Sequence, residues 1–215
     1  MKLFNFLRHE WLILTLVSIP FLILAFYVKE IPNQIPIHWD LEGQANGYGS
    51  KYVMPVINLG LYALLLFMPT MDPRQSNYKL FSSSYRKIRM IVALFFSTLI
   101  SLGFVSYLGY DMEHSTIMLF SIYLLLTAFG NYFGTIKPNW FIGIRTPWTL
   151  ENEDVWKKTH AVAGKLWFFL GLSGIAITLL VQSPYLPIVH GILFGVMAIT
   201  PIVHSYILFK RYQDA

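Results

Sequence analysis

The chain has 215 residues, of which 55% are hydrophobic and 13% charged, with a mean hydropathy of +0.53 and a formal net charge of +5. That balance excludes an ordinary water-soluble domain, and the lack of cysteine excludes disulfides, thiolate chemistry and zinc sites built on sulfur. The basic excess does not describe a nucleic-acid surface, because Lys and Arg lie near the ends of apolar runs and do not gather on one polar face.

Six runs are apolar and long enough to cross a bilayer core of about 30 Å as helices. They cover residues 11–28, 53–71, 88–108, 117–133, 166–181 and 188–209. Glu10 and Trp11 open the first run and no small-residue cleavage site follows it, so it reads as a retained span and not a signal peptide. If the amino terminus is cytoplasmic, only Lys29 and Lys51 of the 16 basic residues fall outside, which predicts both termini in. The expected fold is an all-α integral membrane protein, a bundle of six transmembrane helices with one ordered outer loop and one inner loop. Two modules are expected, residues 1–87 and residues 88–215.

The outer loop, residues 29–52, carries Pro32 and Pro36, which stiffen its start, and Gly47 and Gly49, expected to adopt backbone conformations closed to other residues. His38 and Asp40 lie two apart, with Asp111, Glu113 and His114 in the next outer loop as candidate companions for a metal or a cationic group. The spacing favours a structural role, in which Asp40 accepts amides of its own turn and His38 caps a neighbour. No metal or cofactor is assigned.

The inner loop, residues 134–165, divides in two. Residues 138–147 read as extended or turned. Thr149 then reads as a helix N-cap, with Glu151, Glu153 and Asp154 supplying negative charge to the first turn. Trp156, His160, Ala163 and Trp167 fall on one face of the helix that follows, expected to lie along the inner membrane surface and then turn into the fifth span. Arg145 suits a clamp on helix-end carbonyls, with a lipid phosphate or Glu151, Glu153 or Asp154 as alternative partners. Trp140, Trp148 and Trp156 read as interfacial anchors, with a peptide-binding aromatic groove as the alternative. His160 approaches the membrane, where an ionisable group is costly unless paired.

The inner loop resembles the signature of the SdpI family of bacterial membrane immunity proteins through Asn139, the run Gly143 to Leu150 that includes Arg145, Pro147 and Trp148, and the run Trp156 to His160 that includes Thr159. The outer loop is similar to the domain of unknown function that precedes that signature, through Ile35, Pro36, His38, Asp40, Gly43, Gly47 and Gly49 to Lys51. The resemblance implies protection against a secreted membrane-active antimicrobial peptide. It also implies capture of a cytoplasmic transcriptional repressor at the membrane, with membrane lipid and no direct nucleic acid as further partner assignments. On this reading Asn139, Gly143, Arg145, Pro147, Trp148, Trp156, Thr159 and His160 form an inner binding or signalling set, and His38, Asp40, Gly43 and Lys51 an outer one. The residues alone leave two other classes open. One is a membrane enzyme or transporter with a loop-borne His/Asp site, disfavoured because no Asp, Glu, Lys or Arg lies mid-span and the common hydrolase, phosphate-loop and His-Glu-x-x-His motifs are absent. The other is a passive scaffold.

Overall fold

The computed structural model describes residues 2–39, 45–110 and 114–213. Its elements are α1 (Lys2–Phe26), β1 (Gln34–Trp39), β2 (Ala45–Ser50), α2 (Val53–Met71), α3 (Gln75–Leu80), α4 (Ser82–Ser106), α5 (His114–Phe133), α6 (Pro147–Glu151), α7 (Glu153–Leu180) and α8 (Leu186–Gln213). Among the described residues six helices, α1, α2, α4, α5, α7 and α8, are long and apolar enough to cross a membrane, and the protein is a multi-pass membrane protein. Several run past the apolar limits read from sequence, because polar residues beyond the hydrocarbon continue the same helix.

Three expectations need correction. The chain is not wholly helical: β1 and β2 pair antiparallel, with Gln34 opposite Ser50, Pro36 opposite Tyr48 and Trp39 opposite Ala45. Gly47 and Gly49 have no positive φ; a Cβ on Gly47 would lie 2.9 Å from the His38 Cβ, and one on Gly49 2.8 Å from Ile37 Cδ1, so absence of bulk is what the hairpin needs there. Finally, α7 does not turn. It is one helix from Glu153 to Leu180, because the face carrying Trp156, His160 and Ala163 is buried against protein along its whole first half.

The chain forms two compact units that interleave in sequence, Met1–Leu66 with Arg89–Met118, and Phe67–Ile88 with Leu119–Ala215. In the first, Ile13 and Val17 of α1, Tyr62 of α2 and Ala93 of α4 make one apolar cluster, and Leu24, Ile31, Ile35 and Phe104 make another that seats the hairpin. Beside the first cluster Arg89 Nη2 donates to Glu10 Oε1 at 2.7 Å, and the Tyr62 hydroxyl donates to Glu10 Oε2 at 3.3 Å. Removing one partner of such a buried pair costs about 3–5 kcal/mol, so it fixes which helix faces meet.

In the second unit α5 and α7 approach until their backbones touch. A Cβ on Gly130 would lie 2.5 Å from Phe168 N, and one on Gly164 would lie 2.7 Å from Gly130 O. Small residues permit such contact in lipid, where association depends on close packing. Phe133, Ile136, Trp156 and Ala163 then close over Tyr78, Phe81, Tyr85 and Ile88.

This contact predicts opposite outcomes for one substitution at two glycines. Gly164→Ala forces backbone apart and is expected to cost about 1–3 kcal/mol. Gly191→Ala, where a Cβ meets nothing within 4 Å, is expected to be neutral or slightly stabilising through helix propensity. Thermal unfolding of the purified protein in detergent measures both; equal midpoints would contradict the contact.

Candidate functional site

The site is built on the segment between α5 and α7. Its backbone cannot use a helical ladder, so each buried N–H and C=O needs another partner. Asn139, fully buried, supplies several. Its Oδ1 accepts from Phe141 N at 2.9 Å and Ile142 N at 2.7 Å, and its Nδ2 donates to the carbonyls of Lys137 and Ile142, each at 2.9 Å. The chain folds around this one amide.

Gly143 follows with φ +121°, in the left-handed region. A Cβ there would also lie 2.4 Å from His160 Nε2 and 3.1 Å from the Trp156 ring. The turn at Gly143 lets the next amide, Ile144 N, donate to His160 Nε2 at 3.0 Å. Because Nε2 accepts, the ring proton sits on Nδ1, which donates to Trp156 O at 2.8 Å. His160 is therefore neutral, fully buried and bonded at both nitrogens, stacked between Trp156 (4.1 Å) and Phe133 (5.1 Å). Trp156 Nε1 donates to Ile136 O at 2.8 Å. Its 1% exposure removes it from the interfacial anchors. Thr159, also fully buried, lies between these two on α7.

Two caps complete the segment, and neither is the one expected. Thr146, not Thr149, caps α6, with Pro147 in the first turn. Thr149 is its partner in a reciprocal capping box: Thr146 N donates to Thr149 Oγ1 at 2.9 Å and Thr149 N to Thr146 Oγ1 at 3.3 Å, while Thr149 Oγ1 also donates to Ile144 O at 2.7 Å. Asn152 caps α7, accepting from Asp154 N at 2.9 Å and Val155 N at 3.0 Å, and Glu153 and Asp154 place negative charge at the positive end of that helix. The Thr-Pro pair at 146–147 carried the signal, since Pro is favoured at the first helical position after a Thr cap.

Arg145 is exposed and donates through Nη1 to the carbonyl of Trp140, whose side chain is 46% exposed. It clamps the loop's own backbone. Pro147 is exposed beside it, while Trp148 Nε1 donates to Ser205 Oγ at 2.5 Å and its ring meets Tyr206 edge-on, tying α6 to α8.

Sequence reading missed the residues that hold this loop from outside. Asp72, Arg74, Asn77 and Tyr78 follow α2, and each bonds the loop or braces a residue that does. Burial pushes the Tyr78 phenol up, and the hydrogen bond and charge of Asp72 push further, so the hydroxyl stays a donor. The available signal was an acidic residue directly against the end of an apolar run.

The outer set lies in the other unit. Lys51 is 3% exposed and its ammonium donates to Val28 O at 2.6 Å and Ile31 O at 2.9 Å, just beyond α1. His38 is exposed, with Nδ1 2.5 Å from Asn46 Oδ1. Asp40, Gly43, Asp111, Glu113 and the His114 side chain lie outside the described residues. Among the described residues no three His, Asp or Glu side chains are grouped to hold a metal ion.

Two substitutions test the loop's construction. Gly143→Ala collides with His160, and Asn139→Asp turns an acceptor oxygen toward the Lys137 and Ile142 carbonyls. Each is expected to destabilise by about 1–3 kcal/mol per buried polar group left unmatched, read as a lowered thermal midpoint and faster trypsin cleavage after Arg145. Parent-like cleavage of both variants would remove Asn139 and Gly143 from this role.

Comparison with known proteins gives the same two segments. Residues 15–59 match a domain of unknown function (DUF1648), and residues 135–206 match the SdpI/YfhL protein family. The chain is 28% identical over 204 residues to Immunity protein SdpI of Bacillus subtilis (strain 168), covering 93% of this chain and 95% of that one. No solved structure matches it. The Asn139, Gly143 and His160 constellation lies inside the segment that is similar to the SdpI/YfhL protein family.

Proposed function

We propose that the chain is a non-enzymatic immunity protein of the plasma membrane that protects its cell against a secreted membrane-active peptide. The observation that carries this reading is similarity to an immunity protein along 93% of the chain. In this proposal both termini and the signature loop are cytoplasmic and the hairpin is outside. The charge count supports that orientation, since Lys29 and Lys51 alone fall on the hairpin side. The site's chemistry also supports a binding role: Asn139, His160 and Thr149 direct their polar atoms at backbone and hold a surface in place.

A division of labour follows from reach. In this orientation a hydrocarbon core of about 30 Å lies between hairpin and loop, so the hairpin with His38, Asp40 and Gly43 meets the external peptide, with the buried Lys51 holding its frame, and the loop takes up a cytoplasmic repressor. Trp156, Thr159 and His160 are the floor under that loop, and the exposed Trp140, Arg145 and Pro147 are its contact surface. The two matched segments fall in the sequence modules 1–87 and 88–215, but residues 72–78 of the first module bond the loop of the second, so the roles follow the hairpin and the loop and not that division.

The test expresses the chain in a sensitive host and challenges it with medium conditioned by the producing strain. Survival is expected with the parent chain, and loss of it with His38→Ala at unchanged membrane yield. Arg145→Ala is expected to keep survival, because its side chain faces the other side. A phosphatase fused after Ala215 should be inactive, and one inserted at residues 41–44 active. Killing of cells that carry the parent chain, or the reverse phosphatase pattern, would sink the proposal.

A further inference from the structure

The signature loop is held by residues that neither matched segment contains. Residues 60–134 lie between the two matches, and Asp72 to Tyr78 fall within them. Asp72 is 3% exposed and carries three hydrogen bonds. Its Oδ1 accepts from Arg74 N at 2.7 Å, a local turn; its Oδ2 accepts from Trp140 N at 2.9 Å and from the Tyr78 hydroxyl at 3.0 Å. That hydroxyl is also 3.3 Å from Asn139 Oδ1. On either side Asn77 Nδ2 donates to Pro138 O at 2.7 Å, and Arg74 Nη2 donates to Leu150 O at 2.9 Å.

A carboxylate that served only the turn after α2 would need one oxygen. The second reaches 68 residues ahead to the amide of Trp140, whose carbonyl takes the Arg145 guanidinium. Asp72 thus grips the amide of the residue whose carbonyl Arg145 clamps, so the two peptide units that flank the Trp140 Cα are both held. Every grip from this segment on residues 138, 140 and 150 is to main chain, which leaves the Trp140 and Arg145 side chains outward.

We propose that Asp72, oriented by Tyr78, is the positioning residue of the signature loop, setting how Trp140 and Arg145 are presented. The site is therefore composite: the segment from Asp72 to Tyr78 is part of it, although its sequence lies outside the family match. This rests on the proposed role of Trp140 and Arg145 as the contact surface, yet its test needs no partner.

Both Asp72 oxygens face backbone N–H donors. An asparagine must therefore turn its NH₂ toward one of them, whereas a glutamate keeps two acceptors. The chain has no cysteine, so a single thiol reports cleanly. Ile142→Cys, half-buried against the core, reports loop opening, and Met197→Cys, buried in α8, reports unfolding of the unit. Maleimide labelling rates are measured in detergent for each thiol with and without Asp72→Asn, Asp72→Glu and Tyr78→Phe. The expected result is labelling at Ile142→Cys about tenfold faster with Asp72→Asn and about threefold faster with Tyr78→Phe, partial return toward parent with Asp72→Glu, and no change at Met197→Cys. Should Asp72→Asn fail to fold, Tyr78→Phe carries the comparison. Unchanged labelling at Ile142→Cys, or a parallel rise at Met197→Cys, overturns the proposal, whatever the survival assay gives.

Discussion

A non-helical segment packed into protein at the edge of hydrocarbon must find a partner for each backbone N–H and C=O it buries, and the signature loop is organised by that requirement. Lipid supplies none. Side chains therefore do the work that a ladder does elsewhere: Asn139 satisfies the turns at 137–142, His160 takes the Ile144 amide, Thr149 takes the Ile144 carbonyl and the Thr146 amide, and Trp156 takes the Ile136 carbonyl. Unmet, each costs on the order of 1–3 kcal/mol. The motif's uncommon residue types follow, since Asn offers donors and acceptors on one rigid amide and a neutral His offers one of each on opposite sides of a ring.

These partners sit where they do because α5 and α7 touch. Contact at Gly130 and Gly164 brings the ring of Phe133 onto His160 and Trp167, so the first turns of α7 form a floor beneath the loop. The same approach continues along α7, where a Cβ on Gly171 would strike Thr127 Oγ1 and one on Gly174 the Tyr123 ring. Tyr123 in turn bonds His190 Nδ1 at 2.8 Å and stacks on Phe194, so α8 is held by the helix pair the glycines bring together. Packing and hydrogen bonding thus act in sequence.

The spans were legible because lipid imposes a length and a composition that few other constraints mimic. The hairpin was not, because Pro36, Gly47 and Gly49 lower strand propensity in the residues that pair. The unbroken α7 was hidden by its amphipathic pattern: a face of Trp156, His160 and Ala163 suggested a helix lying on the membrane surface, but that face is buried against protein. In the signature loop the caps, Thr146 and Asn152, each lay one turn away from the expected Thr149. Asp72 was invisible for a different reason. Its importance lies in a contact with Trp140 across 68 residues of chain, and local pattern carries no such information.

The hairpin and the signature loop are built on opposite electrostatic plans. At the hairpin a cation is buried, Lys51 under the carbonyls that follow α1, where helix-end partial charges are negative. At the loop an anion is buried, Asp72 under an amide, a hydroxyl and a turn N–H, while Arg145 stays outside. In each case the buried charge ties chain segments together through main-chain atoms, which are indifferent to side-chain replacement in the segment being held. Substitution of exposed residues of the hairpin and of the loop therefore leaves these main-chain bonds in place. A frame of this kind leaves exposed positions such as Tyr48 and Trp140 open to the surroundings, away from the buried charges that support them.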